Sequence, residues 1–177
     1  MTIVEYNENW KKDFLQIKTV LERNLNDIIK IEHVGSTSIN GMCAKPIIDI
    51  IIVIDKIENF IKTKMELEII GYFHNGDQGI NGREVFKKEK FIQNEILNNI
   101  PHHLYVCTKN NDEYIKELYF RDYLNENEEM KNEYYDIKKN IIEKIGNENR
   151  EEYVRIKATE YNWFFEKIHK NAKKKYV

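Results

Sequence analysis

One acid set in a run of isoleucines constrains this chain more than any other feature: Asp49 in Pro46-Ile47-Ile48-Asp49-Ile50-Ile51-Ile52-Val53-Ile54. A β-branched, almost wholly apolar run of this length predicts a central strand from Ile47 to Ile54, buried on both faces. A carboxylate in such a strand is costly unless it is paired, hydrogen-bonded or bound to a metal ion. Upstream, Gly35 is followed by three hydroxyls, Ser36, Thr37 and Ser38, and Lys45 stands just before the proline. A glycine turn that opens a helix points backbone N–H groups at an anion, and the helix dipole favours negative charge there by up to ~1 kcal/mol. Phosphate is the usual guest of such a turn, and Mg²⁺ is the metal that carboxylates and phosphates share.

The rest of the chain supplies cover for that strand. Trp10, Phe14, Ile17, Leu21 and Leu25 recur at steps of three and four, which predicts an amphipathic helix from about Asn7 to Asn24 packed on the sheet. Ile28 to Val34 alternates up to the glycine turn and predicts a strand exposed on one face. Asp55 is placed to cap a helix from about Lys56 to Ile70, with Ile57, Phe60, Ile61, Met65 and Ile69 as its buried stripe and Gly71 closing it. Residues 71–89 hold four of the seven glycines and predict strand, loop, strand. Lys90 to Pro101 carries little signal. His102 to Thr108 predicts a further strand, and Asn110-Asn111-Asp112 caps the helix after it. Three helices complete the chain, at about Asp112 to Asn125, Glu128 to Ile145 and Arg150 to Ala172. Gly146-Asn147 separates the last two, and Tyr153, Ile156, Trp163, Phe164 and Ile168 supply their apolar faces. The expected fold is α/β: a mixed sheet flanked by an N-terminal helix and a C-terminal helical layer, in one domain spanning 1–177.

Composition narrows the function classes. A chain of 177 residues buries roughly 70% of its unfolded surface, enough for a real core. Up to position 110 there are 14 basic and 15 acidic residues, and the same numbers after it, so neither half resembles a nucleic-acid-binding arm. Lys173-Lys174-Lys175 is the only basic cluster and reads as a solvated tail. Cys43 and Cys107 have neither metal-type nor disulfide-framework spacing, which predicts reduced thiols in a cytoplasmic protein. The N-terminus MTIVEYNENW has no basic n-region or apolar h-region, and no stretch reaches the ~20 apolar residues of a membrane span.

The run His33-Val34-Gly35-Ser36-Thr37, then Gly41, then Ala44-Lys45-Pro46-Ile47-Ile48-Asp49, closely resembles the signature of the GrpB-like family, within the nucleotidyltransferase fold superfamily. Gly71-Tyr72, Gly82-Arg83 with Phe86, His103-Leu104-Tyr105-Val106, Phe120-Arg121-Asp122-Tyr123-Leu124, and Tyr153 with Lys157 extend the resemblance over nearly the whole chain. It implies a nucleotidyltransferase-like sheet and a cleft for a nucleotide or another phosphorylated small molecule. Gly35, Ser36 and Thr37 would cradle the phosphate, Lys45 and Arg83 would add positive charge, and Asp49 with His103 would do chemistry, Asp49 holding Mg²⁺ or Mn²⁺. The implied reaction class is nucleotidyl or phosphoryl transfer. Relatives fused to dephospho-coenzyme A kinase add a coenzyme A-type ligand to the expectations.

One departure from that pattern has chemical weight. Acids two apart on a strand face the same way and can share a metal pair, but the residue two after Asp49 is Ile51. A binding module without chemistry, or a hydrolase using one metal with Asp49, His103 and His33, therefore stand as alternatives. The family pattern His-Leu-His-Val is met by His103 but has Tyr105 in place of its second histidine. His74, His102 and His169 read as ordinary structural histidines, and Arg121-Asp122 as an ion pair that docks a helix. Lys157 shares a helix face with Tyr153, four residues earlier. Neither cysteine has a neighbouring base in sequence to make it a nucleophile.

Overall fold

The computed structural model describes residues 3–146 and 149–177, so Asn147 of the expected Gly146-Asn147 separator lies outside the described residues. Five strands form one mixed sheet in the order β1-β2-β5-β4-β3. They are β1 (Ile28–Val34), β2 (Ile48–Ile54), β3 (Tyr72–His74), β4 (Glu84–Lys88) and β5 (His102–Thr108). The β2–β5 pair is parallel; β1–β2, β4–β5 and β3–β4 are antiparallel. As its composition requires, β2 is a central strand, and Asp49 is its one incompletely buried residue.

Alternate residues of β2 feed two cores. Ile48, Ile50, Ile52 and Ile54 pack against Trp10, Ile17 and Leu21 of α1 (Asn9–Asn24), Leu67 of α2 (Phe60–Ile69) and Leu97 of α3 (Glu95–Asn99). Ile51 and Val53 face the other way, onto Tyr114 of α4 (Asp112–Glu126). Asp49 shares that second face by the period-two alternation of a strand. Beyond α4, the helices α5 (Glu128–Ile145), α6 (Arg150–Thr159) and α7 (Asn162–Tyr176) close a separate core of Phe120, Tyr134, Ile137, Ile141, Ile156, Phe164 and Ile168. The Asn111 side chain accepts from the N–H groups of Glu113 and Tyr114 to start α4. Arg121 docks α4 on β1, donating to Glu32 at 2.9 Å and to the His33 carbonyl at 2.9 Å, with its Nε on Asp122 at 2.7 Å.

Four sequence expectations change. The buried seam of α2 is Phe60, Thr63, Leu67 and Ile70, while Ile57, Ile61, Met65 and Ile69 are 61%, 68%, 59% and 83% exposed. Helical residues turn by about 100°, so each step of four drifts by about 40° whereas alternating steps of three and four stay on one narrow face. Asp55 does not cap this helix; it pairs with Lys109, and Asn59 accepts from the Lys56 N–H to start the preceding 3₁₀ turn, Ile57–Asn59. The helix expected from Arg150 to Ala172 is two, because the chain turns at Glu160-Tyr161, allowing Ile156 and Phe164 to enter one core. Trp163 is half exposed and Phe164 takes the buried position beside it. With α2 rotated in this way, Ile69→Ser should change the unfolding free energy by no more than about 0.5 kcal/mol in urea melts. A loss several times larger would mean that Ile69 is covered in solution.

Candidate functional site

The turn after β1 is shaped by a conformation only glycine adopts easily. Gly35 has φ +70° and ψ −172°, after which Ser36–Ser38 form one 3₁₀ turn. The Ser38 hydroxyl donates to the Gly35 carbonyl at 2.6 Å and stiffens the loop. Strand register places Asp49 opposite Val34 on one side and beside His103 on the other. The absent side chain of Gly35 is what admits the carboxylate: a Cβ there would lie 2.4 Å from Asp49 Oδ2. The other oxygen, Oδ1, accepts from His103 Nδ1 at 2.8 Å.

His33 faces the opposite side of the sheet, and the Thr37 hydroxyl turns toward it. The Thr37 hydroxyl is buried, 2.9 Å from His33 Nε2 and 3.4 Å from the Ile47 carbonyl, and His33 stacks on Phe14 with ring centroids 4.8 Å apart. Burial, helped by the nearby Arg121 and Lys11 charges, pushes His33 down to about 4, so it is a neutral core histidine. His102 is another, held between Tyr72 at 2.6 Å and the Ile100 carbonyl at 2.7 Å. His74 bonds Glu84 at 2.6 Å. Both cysteines are buried, and burial pushes the Cys107 thiol up to about 12, which leaves it no nucleophilic character.

The helical layer adds a group of residues on the other side of the turn. Lys138 of α5, only 3% exposed, donates to Ser36 Oγ at 2.7 Å and to the Cys43 carbonyl at 2.8 Å. Its ammonium also lies 4.7 Å from the centroid of the Tyr134 ring, and the Lys157 ammonium of α6 lies 5.7 Å from it. Burial lowers the pKa of Lys138. Burial acts on the Tyr134 phenol in the opposite sense, but the Lys138 and Lys157 charges outweigh it and hold the phenol below its ordinary value. Burial also works against the Lys157 ammonium, yet Tyr134, Glu117 and Asp49 more than compensate and raise its pKa.

Between the sheet and this layer lies a cleft of about 720 Å³. Gly35, Ser36, Asp49, Arg83, Glu117 and Lys157 all line it. The Arg83 guanidinium lies 4.7 Å from the centroid of the Tyr105 ring, and its Nε is buried without a hydrogen-bond partner among the described residues. Burial, reinforced by Asp49 and Glu113, pushes Glu117 up to about 7. Lys45, Thr37 and His103 line a smaller recess of about 160 Å³, whose wall of Ser36, Asp49, Tyr134 and Lys157 is shared with the cleft. The expected residues are thus split between two connected spaces. His169, read as structural, also lines the cleft wall, edge-on to Phe120.

No sequence motif gave a role to Lys138, Tyr134 or Glu117. A signal existed for Lys138: it lies among Tyr134, Ile137 and Ile141, in the apolar stripe of a helix where a lysine must find partners. The donor set does not fit a Mg²⁺ or Mn²⁺ pair. Ile51, where a second strand carboxylate would stand, is 1% exposed, and Asp49 is already engaged by His103. Among the described residues no group of three His, Cys, Asp or Glu side chains is placed to hold a metal ion.

A five-stranded mixed sheet with a Gly-Ser turn opening on a charged cleft defines an α/β protein of the mixed-sheet kind. The profile described as "GrpB protein" matches residues 1–170, and the chain belongs to that family. It is 37% identical to the glutamate-rich protein GrpB of Alkalihalophilus pseudofirmus over 148 residues, 82% of this chain and 83% of that one. It is 36% identical to the UPF0157 protein YqkA of Bacillus subtilis over 140 residues, 78% of this chain but 39% of that longer one. The crystal structure of the conserved protein GrpB from Enterococcus faecalis superposes with a TM-score of 0.78 at 31% identity, over 98% of each chain. Among the described residues no helix is long and apolar enough to cross a membrane.

Proposed function

We propose that the cleft binds a nucleotide or another phosphorylated small molecule, with its phosphate between the Gly35-Ser36 turn and Arg83. The observation that carries this reading is the buried Nε of Arg83, without a hydrogen-bond partner among the described residues, in a cleft that also holds Ser36 and Lys157. A desolvated guanidinium N–H without an acceptor is costly, and a phosphate oxygen is its natural complement. A volume of about 720 Å³ falls within the range for small-molecule sites, about 300–1,000 Å³. Nucleotidyl or phosphoryl transfer is the second reading, favoured by the Asp49–His103 pair. Asp49 fixes the ring with Nδ1 protonated, and Nε2 is then the atom that can take a proton from a substrate hydroxyl.

The test is a thermal-shift screen of nucleotides, coenzyme A and inorganic phosphates on wild type, Arg83→Met and Asp49→Asn. A ligand at 100 times its dissociation constant should stabilise the protein by about 2.7 kcal/mol, and Arg83→Met should lose most of that shift. No shift with any phosphorylated compound would sink the binding reading. Turnover of a nucleoside triphosphate that vanishes in Asp49→Asn would establish the transfer reading.

A further inference from the structure

We propose that this cleft holds phosphate groups without a divalent metal ion, with Lys157 and Arg83 supplying the positive charge and Lys138 fixing the Ser36 turn between them. The inference rests on the binding reading above and specifies how that site works. A two-metal phosphate site is a surplus of carboxylates awaiting cations. Here there is no such surplus. Arg83, Lys116 and Lys157 line the cleft, with Lys138 directly behind Ser36, against Asp49, Glu113 and Glu117. A divalent ion brought to Asp49 would meet Lys157, whose ammonium already lies within electrostatic reach of that carboxylate.

The two lysines divide the work by their donors. An ammonium has three N–H groups, and Lys138 directs two of its own to Ser36 Oγ and the Cys43 carbonyl, with the Tyr134 ring centroid 4.7 Å away. It is therefore a positioning residue, holding the turn from behind while adding charge through it. Lys157 lies 4.6 Å from the centroid of the Phe165 ring and 5.7 Å from that of the Tyr134 ring. It keeps donors for a ligand, and it lines both the cleft and the recess. Tyr134, 1% exposed, has both ammonium groups within about 6 Å of its ring centroid. A lysine acts on phosphate as a point charge and needs no fixed coordination geometry, so this arrangement does not call for the missing second carboxylate.

Inorganic tripolyphosphate is the probe, titrated calorimetrically into the full chain in excess EDTA and again in excess Mg²⁺. The expected dissociation constants agree within about threefold, and Lys157→Met weakens binding by roughly 10- to 100-fold in EDTA, the effect of losing one charge-assisted hydrogen bond. Lys157→Arg, which keeps the charge, should recover part of that loss, and melting curves of both variants establish that they are folded. Binding seen only with Mg²⁺ would overturn the metal-free site while leaving the binding reading intact. Wild-type affinity in a folded Lys157→Met protein would overturn the role given to Lys157. Absence of binding in both buffers would overturn the binding reading itself and this inference with it.

Discussion

Gly35→Ala is expected to destabilise the protein by about 2–6 kcal/mol, a drop of roughly 4–24 °C in melting temperature for a domain of this size. Two separate causes add. The backbone at φ +70° and ψ −172° lies in a region that side chains disfavour by about 1–3 kcal/mol. The new methyl would also stand 2.4 Å from Asp49 Oδ2 and 3.1 Å from Asp49 Cβ and Cγ, and overpacking of that kind costs about 1–3 kcal/mol. Gly41→Ala separates the two, because φ is +78° there and a Cβ would meet nothing within 4 Å. It should show the backbone penalty alone. Combining Gly35→Ala with Asp49→Ala should recover the steric part, so a double-mutant cycle should give a coupling of about 1–3 kcal/mol. Additive losses in that cycle would mean that Asp49 swings clear of the turn and that the two residues do not define one site.

The same pair of residues illustrates what was legible in advance. The strands β1, β2 and β5 could be read within a residue because apolar or alternating runs bounded by Gly35, Pro46 and Pro101 leave little choice of limits. Asp49 announced itself as an acid with no apolar excuse, and Gly35-Ser36 as a turn with spare polar groups. The phase of α2 was illegible for a physical reason: apolar residues occur on two of its faces, and only the tertiary packing of Phe60 and Leu67 selects one. The break at Glu160-Tyr161 was hidden because neither glycine nor proline marks it. The other half of the site comes from helices about 70 to 120 residues beyond the turn, as the separation of 102 residues between Ser36 and Lys138 shows. Local patterns cannot report contacts of that range. Yet a lysine in an apolar helical stripe and a Tyr153-Lys157 pair at one-turn spacing both marked positions where a partner had to be found.

Acid should unfold this protein through two histidines, and a cleft carboxyl should work against them. His33 and His102, 8% and 9% exposed, are both pushed by burial from the ordinary 6.5 down to about 4. In the unfolded chain each takes a proton near pH 6.5; in the folded chain it refuses one until about pH 4. Their stabilising contribution is therefore complete above about pH 6.5 and is lost as pH falls toward 4, by about 3 kcal/mol for each histidine. Glu117 has the opposite sign. Its folded value is about 7 against 4.5 for an unperturbed carboxyl, so it favours the folded state fully below about pH 4.5 and that contribution is lost as pH rises to about 7. Between pH 6.5 and 4.5 one effect offsets part of the other. Urea melts across this window should consequently show a steeper acid loss in Glu117→Gln than in wild type, and a shallower one in His102→Gln, whose side chain retains an acceptor for the Tyr72 hydroxyl. Comparing slopes removes the constant part of each substitution's effect on stability. An unchanged slope in Glu117→Gln would show that its carboxyl is hydrated and ionised like any surface acid, so that the cleft is open to water where Glu117 meets Asp49.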